Sequence, residues 1–231
     1  MLEISNLVKH YRNGAGITSI DFTVQRGQVC GIVGPNGAGK STLFEVIAGV
    51  SDSDSGDVLF QTVPIVEVSR SSVGYLPQQA YAFENFTCRQ FYKFDAVMRG
   101  ITVKNEESSL MRFKCDDFID APINQLSQGM ERRLALACAF SGEPQLLILD
   151  EPLNSVDIQT TLILKDEIMR ATRRGAIVLV SSHVLSFLDG LADEVVVLDN
   201  GRVKRKVCLE TTDAETAYRS TFGFGNVDDE R

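Results

Sequence analysis

Val29-Cys-Gly-Ile-Val-Gly-Pro-Asn-Gly-Ala-Gly-Lys-Ser41 is the stretch on which the fold turns. Its first five residues are a short apolar run, suited to a buried strand of a parallel sheet. The next eight, Gly34-Pro35-Asn36-Gly37-Ala38-Gly39-Lys40-Ser41, fit the spacing GxxxxGK[ST], and a helix is expected to begin near Lys40. Strand, glycine-rich loop and helix in that order make a phosphate-binding unit. The glycines let backbone N–H groups converge on phosphate oxygens, and the helix N-terminus adds about half a positive charge on the anion's side. In such a unit Lys40 reaches the β- and γ-phosphates of a bound nucleotide, and Ser41, followed by Thr42, places its hydroxyl on Mg²⁺. A glycine-rich turn without a ligand is the competing reading; the flanking strand and helix argue against it.

Upstream, Leu2 to Val8 and Ile20 to Val24 alternate apolar and polar residues at period 2, with the turn signal Asn13-Gly14 between them. This predicts an N-terminal antiparallel sheet. Downstream, Leu146–Leu149 and Ala176–Val180 are further buried-strand candidates separated by helix-period segments, the rhythm of βαβ units. Between about 80 and 140 the β-branched runs vanish. Helical spacing takes over there, as in Phe86, Phe91, Phe94, Val97, Met98 and Ile101, and the apolar helix is one that a core would need. The expected fold is α/β, a P-loop NTPase core with a mostly parallel sheet, an N-terminal antiparallel β subdomain and an inserted α-helical lobe. It is expected as one domain over 1–231. Residues 1–79 and 141–205 form the core with its β subdomain, about 80–140 the lobe, and 206–231 a short tail.

Composition narrows the function. At 231 residues and 44% hydrophobic, the chain buries one α/β core and leaves no room for a second enzyme domain. No run approaches the roughly 18 apolar residues needed to span a bilayer, so any membrane role must come through a partner. The opening MLEISNLVKHY lacks a basic segment followed by an apolar one, which predicts a cytoplasmic location. Five scattered cysteines with no CxxC read as reduced, mostly buried thiols. A net charge of −8 argues against a nucleic-acid partner, and Arg202-Val-Lys-Arg-Lys206 reads as a solvated strand edge or turn. The polar tail 226–231 is expected to fray.

Leu146-Leu-Ile-Leu-Asp150-Glu151 is a strand ending in two carboxylates, where a parallel sheet presents ligand groups. Asp150 suits a Walker B acid holding Mg²⁺ through water, and Glu151 suits polarisation of the attacking water. Two acids capping a strand is the alternative, which the loop at 34–41 disfavours.

Between these motifs the chain resembles the ABC ATPase family. Leu126-Ser-Gln-Gly-Met130 is similar to the family signature LSGGQ. The resemblance implies that Ser127 and Gly129 cap the γ-phosphate bound to an opposite cassette. Met130 stands at the signature's final Gln, as in exporters with an SGGM pattern. Gln128 stands at its first Gly, adding a side chain and restricting φ, so weaker closure is expected. Ser127 can serve as a helix N-cap at the same time. Gln78 resembles the Q-loop glutamine that contacts Mg²⁺ or water, Ser155-Val-Asp157 the D-loop, and His183 the switch histidine that touches the γ-phosphate. Tyr11 resembles the aromatic that stacks on adenine; a surface-turn tyrosine is the plain alternative.

The resemblance covers about residues 2 to 205. It implies an ATP-hydrolysing subunit, peripheral on the inner face of the cell membrane, with a transmembrane permease subunit on a separate chain. It also implies a second ABC cassette, identical or different. Glu84-Asn-Phe-Thr87 followed by Phe91, Phe94 and Met98 is similar to the lobe of cassettes that serve drug, lantibiotic or polysaccharide exporters. The alternatives are a soluble ABC ATPase without a transporter, and a regulatory cassette that Gln128 leaves with weak hydrolysis. Intact Lys40, Asp150, Glu151 and His183 argue against the second of these.

Overall fold

Six strands in the order β10-β9-β3-β8-β7-β6 form the sheet that carries the glycine-rich loop. They are β3 (Val29–Val33), β6 (Val73–Leu76), β7 (Leu146–Leu149), β8 (Ile177–Ser181), β9 (Glu194–Asp199) and β10 (Arg202–Cys208). The computed structural model describes residues 1–12, 14–79, 83, 85–102 and 108–224. Asn13 of the predicted turn, Glu84 and the tail 226–231 lie outside them. All pairings in this sheet are parallel except β9 with β10. β3, β7 and β8 are buried throughout, as their unbroken apolar runs predict.

Because strand side chains alternate, the sheet divides two cores. Cys30, Ile32, Leu146, Ile148, Ile177 and Leu179 face one; Val29, Val33, Leu147, Leu149, Val178 and Val180 face the other. The first core is closed by α1 (Lys40–Ile47) and by a second, four-stranded sheet of order β2-β1-β4-β5. Its strands are β1 (Leu2–His10), β2 (Gly16–Val24), β4 (Ser55–Phe60) and β5 (Val63–Pro64), all antiparallel. The predicted N-terminal sheet is therefore present, and it gains two strands that the sequence pattern did not show. Each fully buried Leu, Ile or Phe here contributes about 1.5–3 kcal/mol.

The other core is covered by helices. These are α2 (Cys88–Met98), α3 (Ser108–Arg112) and α4 (Gln128–Ala139) between β6 and β7, then α5 (Ile158–Arg173), α6 (Leu185–Leu188) and α7 (Ala214–Phe222). Here the structure corrects the predicted apolar stripe. α2 buries Cys88, Tyr92 and Ala96, whereas Val97 and Met98 are 72% and 66% exposed, with Phe94 beside them at 37%. The helix is rotated by its ends. A capping box links Thr87 and Gln90 at the start, and Arg99 at the end donates to the carbonyls of Val73, Cys138 and Ser141. Tyr92 turns inward because its hydroxyl finds Ser109 Oγ at 2.6 Å.

Glu167 on α5, itself buried, pairs with Arg112 on α3 at 2.7 Å and with Arg170 at 2.8 Å. Four cysteines are buried and free, and Cys208 is exposed. Burial pushes the Cys88 thiol up to about 11 and that of Cys115 to about 12, so both stay protonated at neutral pH. β10 is a basic edge strand, as expected, with Lys206 paired to Glu194 at 2.9 Å. Among the described residues no helix is long and apolar enough to cross a membrane.

Candidate functional site

The loop after β3 turns into α1 through Gly39, whose φ of 100° places it in the left-handed region. A Cβ there would lie 2.7 Å from the Ile17 side chain, so only glycine lets the helix N-terminus approach β2. Lys40 reaches back over this loop, and its Nζ donates to the carbonyls of Gly34 at 2.8 Å and Pro35 at 3.3 Å.

Asp150 and Glu151 follow β7 and are 1% and 5% exposed. Ser181, at the end of β8, joins them. Its hydroxyl donates to Asp150 Oδ1 at 2.6 Å and accepts from the Glu151 amide at 2.8 Å. The other Asp150 oxygen, Oδ2, is buried without a hydrogen-bond partner among the described residues. Glu151 holds a left-handed φ of 47°, and its Oε2 lies 2.7 Å from His183 Nδ1 and accepts from the His183 amide at 3.3 Å. The His183 ring itself is mostly exposed.

One cleft of about 420 Å³ is lined by the whole loop from Asn36 to Thr42 together with Gln78, Asp150, Glu151 and His183. Ala15 and Gly16 also line it. The structure thus gathers most of the predicted site residues in one place. Tyr11 stands apart from that lining, the residue 37% exposed and its hydroxyl donating to Glu45 on α1 at 2.9 Å. The signature stretch is separate too. Ser127 caps α4 by accepting from the Met130 amide, and Gly129 lies in the first turn, where a Cβ would meet the Ser155 carbonyl at 2.9 Å.

Gln128 corrects an expectation. It is the first residue of α4, with helical backbone, so a side chain there meets no restriction on φ; its Oε1 accepts from Ser155 Oγ at 3.2 Å. Asp157 caps α5 by accepting from the Thr160 amide at 2.6 Å, a bond that holds its carboxyl below the ordinary range.

Two participants escaped the sequence reading. Ser181 is one. Arg132 is the other: buried on α4, it donates to four main-chain carbonyls, those of Pro77, Gln78, Asp150 and Glu151. Burial lowers its guanidinium to about 10, with the Asp150 and Glu151 charges acting the other way, so it remains a cation at neutral pH. The available signal was a charged residue in line with Gly129, Leu136 and Ala139 on the packed face of a helix.

A larger cavity, about 720 Å³, lies elsewhere, beside Gly27, Val29 and the start of α7. Three of the carboxylates that line it, Asp189, Asp193 and Asp213, accept from the amides of Ala214, Val29 and Thr216, bonds that tie them to the fold. In the smaller cleft, by contrast, Asp150 presents a buried carboxylate oxygen without a hydrogen-bond partner among the described residues.

A glycine-rich loop joining a buried parallel strand to a helix N-terminus, faced by acids at the end of a strand of the same sheet, defines a P-loop nucleotide-binding protein. The family model described as ABC transporter matches residues 17–154, from β2 through both the loop and the carboxylates. The chain belongs to the ABC transporter family, as an ATP-binding cassette.

Among its relatives, the Nod factor export ATP-binding protein I of Sinorhizobium fredii is 33% identical over 87% of this chain, which spans 61% of that relative's length. The SkfA peptide export ATP-binding protein SkfE of Bacillus subtilis is 29% identical over 95% of this chain and 94% of its own. A solved ATP-binding subunit of an ABC transporter superposes with a TM-score of 0.83 at 27% identity, covering 97% of this chain and 94% of the other. The dimeric cassette MJ0796 shares the fold, with a TM-score of 0.82 at 21% identity.

Proposed function

We propose that this chain binds and hydrolyses ATP to energise a separate transmembrane permease subunit in export, working as a pair with a second cassette. The observation that carries this reading is the single cleft in which Lys40, Ser41, Asp150, Glu151 and His183 converge. Export is the direction because the relatives named above are export ATP-binding proteins. The subunit then sits peripherally on the cytoplasmic face through its partner, and its net charge of −8 does not suit a nucleic acid.

The residues present fit Mg²⁺. Asp150 Oδ2 is a buried carboxylate oxygen with no hydrogen-bond partner among the described residues, and Ser41 and Gln78 supply further oxygens around the same cleft. Among the described residues no three His, Cys, Asp or Glu side chains gather into a metal cage, and Mg²⁺ shared with nucleotide phosphates needs only one or two carboxylates. Asp150, Ser41 and Gln78 would hold the ion, which would supply neutralisation of charge on the nucleotide phosphates.

Around it, amides of Asn36–Thr42 cradle the phosphates, and Lys40 exchanges the Gly34 and Pro35 carbonyls for phosphate oxygens. Glu151 takes a proton from the attacking water, oriented by Ser181 at its amide and His183 at its carboxylate. The remaining ring nitrogen of His183 faces the γ-phosphate, and Tyr11 stacks on the base. Ser127, Gln128 and Gly129 close over the nucleotide of the partner cassette, a role that Ser127 and Gln128 support by being exposed. The helices between β6 and β7 serve as the lobe that moves on the core of 1–79 and 141–205.

The test is Mg-ATP turnover by the purified chain and by Glu151→Gln, with sedimentation of each in ATP. Loss of the base should lower kcat by about 10²–10⁴ while an ATP-bound dimer accumulates. Parental turnover in Glu151→Gln overturns the assignment of Glu151.

A further inference from the structure

We propose that Arg132 is a positioning residue for hydrolysis, a clamp that sets the Glu151 backbone and ties it to the Gln78 loop; this rests on the reading of Glu151 as general base. β6 and β7 are adjacent parallel strands, with Leu76 opposite Leu149. Each strand is followed by a turn away from the sheet, where peptide carbonyls lose their ladder partners and need others. Arg132 supplies them from α4. One terminal nitrogen of its guanidinium donates to Pro77 O at 2.8 Å and Gln78 O at 3.3 Å. The other donates to Asp150 O at 2.6 Å and Glu151 O at 2.7 Å. Two consecutive carbonyls from each of two loops thus meet on one planar fork that is charged at neutral pH.

The geometry has a use beyond satisfying carbonyls. A non-glycine residue keeps a left-handed φ such as the 47° of Glu151 only where its surroundings enforce it. Ser181 holds the Glu151 amide and Arg132 holds its carbonyl, so both flanking peptides are fixed and the carboxylate has one direction left. The side chain of Arg132 starts one turn into the helix that Ser127 caps. A push on the exposed start of that helix therefore reaches Gln78 and Glu151 through a single group. Lysine keeps the charge but not the fork, and cannot span four acceptors.

The experiment compares full-length wild type, Arg132→Lys and Arg132→Gln by three readouts. The first is equilibrium binding of Mg-ATP. The second is steady-state kcat and KM for ATP, alone and in the Glu151→Gln background. The third is amide hydrogen exchange of 78–79 and 150–155 in the nucleotide-free chain, with β1 and β2 as internal reference. In both variants binding and KM should stay within a few-fold of wild type while kcat falls on the order of 10²-fold, as for a misplaced catalytic group. The same substitutions should cost nothing further once Glu151 is Gln, and exchange should rise in both segments together with the reference unchanged.

Wild-type kcat in Arg132→Gln, or unaltered exchange in either segment, overturns the proposal. A uniform rise that includes β1 and β2 also overturns it, because Arg132 is then a general fold contact. Failure of wild type itself to hydrolyse ATP overturns the proposed function and with it the catalytic role of Arg132. Exchange then decides separately whether the clamp exists.

Discussion

Replacing Ser181 by Ala removes one oxygen from a fully buried position and leaves two partners stranded. Asp150 Oδ1 loses its 2.6 Å donor and, since Oδ2 has no partner, the carboxylate is left with no hydrogen bond among the described residues. The Glu151 amide loses its 2.8 Å acceptor. A hydrogen bond to a charged group contributes about 1.5–3 kcal/mol, and an orphaned buried amide costs about 1–3 kcal/mol. Both partners border the cleft, so water recovers part of this, and a net loss of about 3 kcal/mol is expected. For a chain of this size that lowers Tm by roughly 6–12 °C. The assay is urea unfolding followed by circular dichroism, reading the shift in midpoint at constant m-value, without nucleotide. A loss below about 1 kcal/mol would refute the reasoning, since water would then replace the hydroxyl and neither acid would depend on β8 for its orientation.

Gly74→Ala places a Cβ 2.1 Å from the Ala139 carbonyl oxygen and 2.8 Å from side-chain atoms of Leu147 and Pro144, so the end of α4 must move; a loss of about 3 kcal/mol is expected in thermal melts, and an unchanged melt would show that α4 yields freely. Asp157→Ala removes the α5 cap and should cost about 1 kcal/mol at neutral pH in urea titrations. The Asp157 carboxyl is lowered in the folded chain by the Thr160 amide, so its contribution is complete above the unfolded value near 3.8 and disappears as pH falls through the folded value. The gap between Asp157→Ala and wild type should therefore narrow progressively as the pH is taken below about 3.8, and a pH-independent gap would exclude the charged cap.

What was legible in the sequence was local. Val29 to Ser41 carries strand, loop and helix within thirteen residues, and the acids at 150 and 151 end an apolar run that can only be interior; their meaning needs no distant partner. Ser181 and Arg132 acquire theirs from neighbours 30 and 18 residues away, which no pattern at period 2 or 3.6 encodes. β6 was missed because four residues with a glycine show no alternation, the glycine being there for α4 to pass close by. The face of α2 was misread because Val97 and Met98 are more apolar than Tyr92 and Ala96. Hydrogen bonds at the helix ends and at Tyr92 set the rotation instead.

The place of β3 in its sheet has a consequence during synthesis. It lies between β8 and β9, yet it leaves the ribosome first of the six strands, and its two neighbours are encoded roughly 150–160 residues later. At about 5–20 residues per second the nascent chain carries it for some 8–30 s with both edges unpaired. Val29-Cys-Gly-Ile-Val33 is then an apolar, β-prone segment seeking any open edge, including that of another copy. The segment that holds the phosphate loop is thus the one most exposed to aggregation before release, and the pace of translation governs how long that exposure lasts.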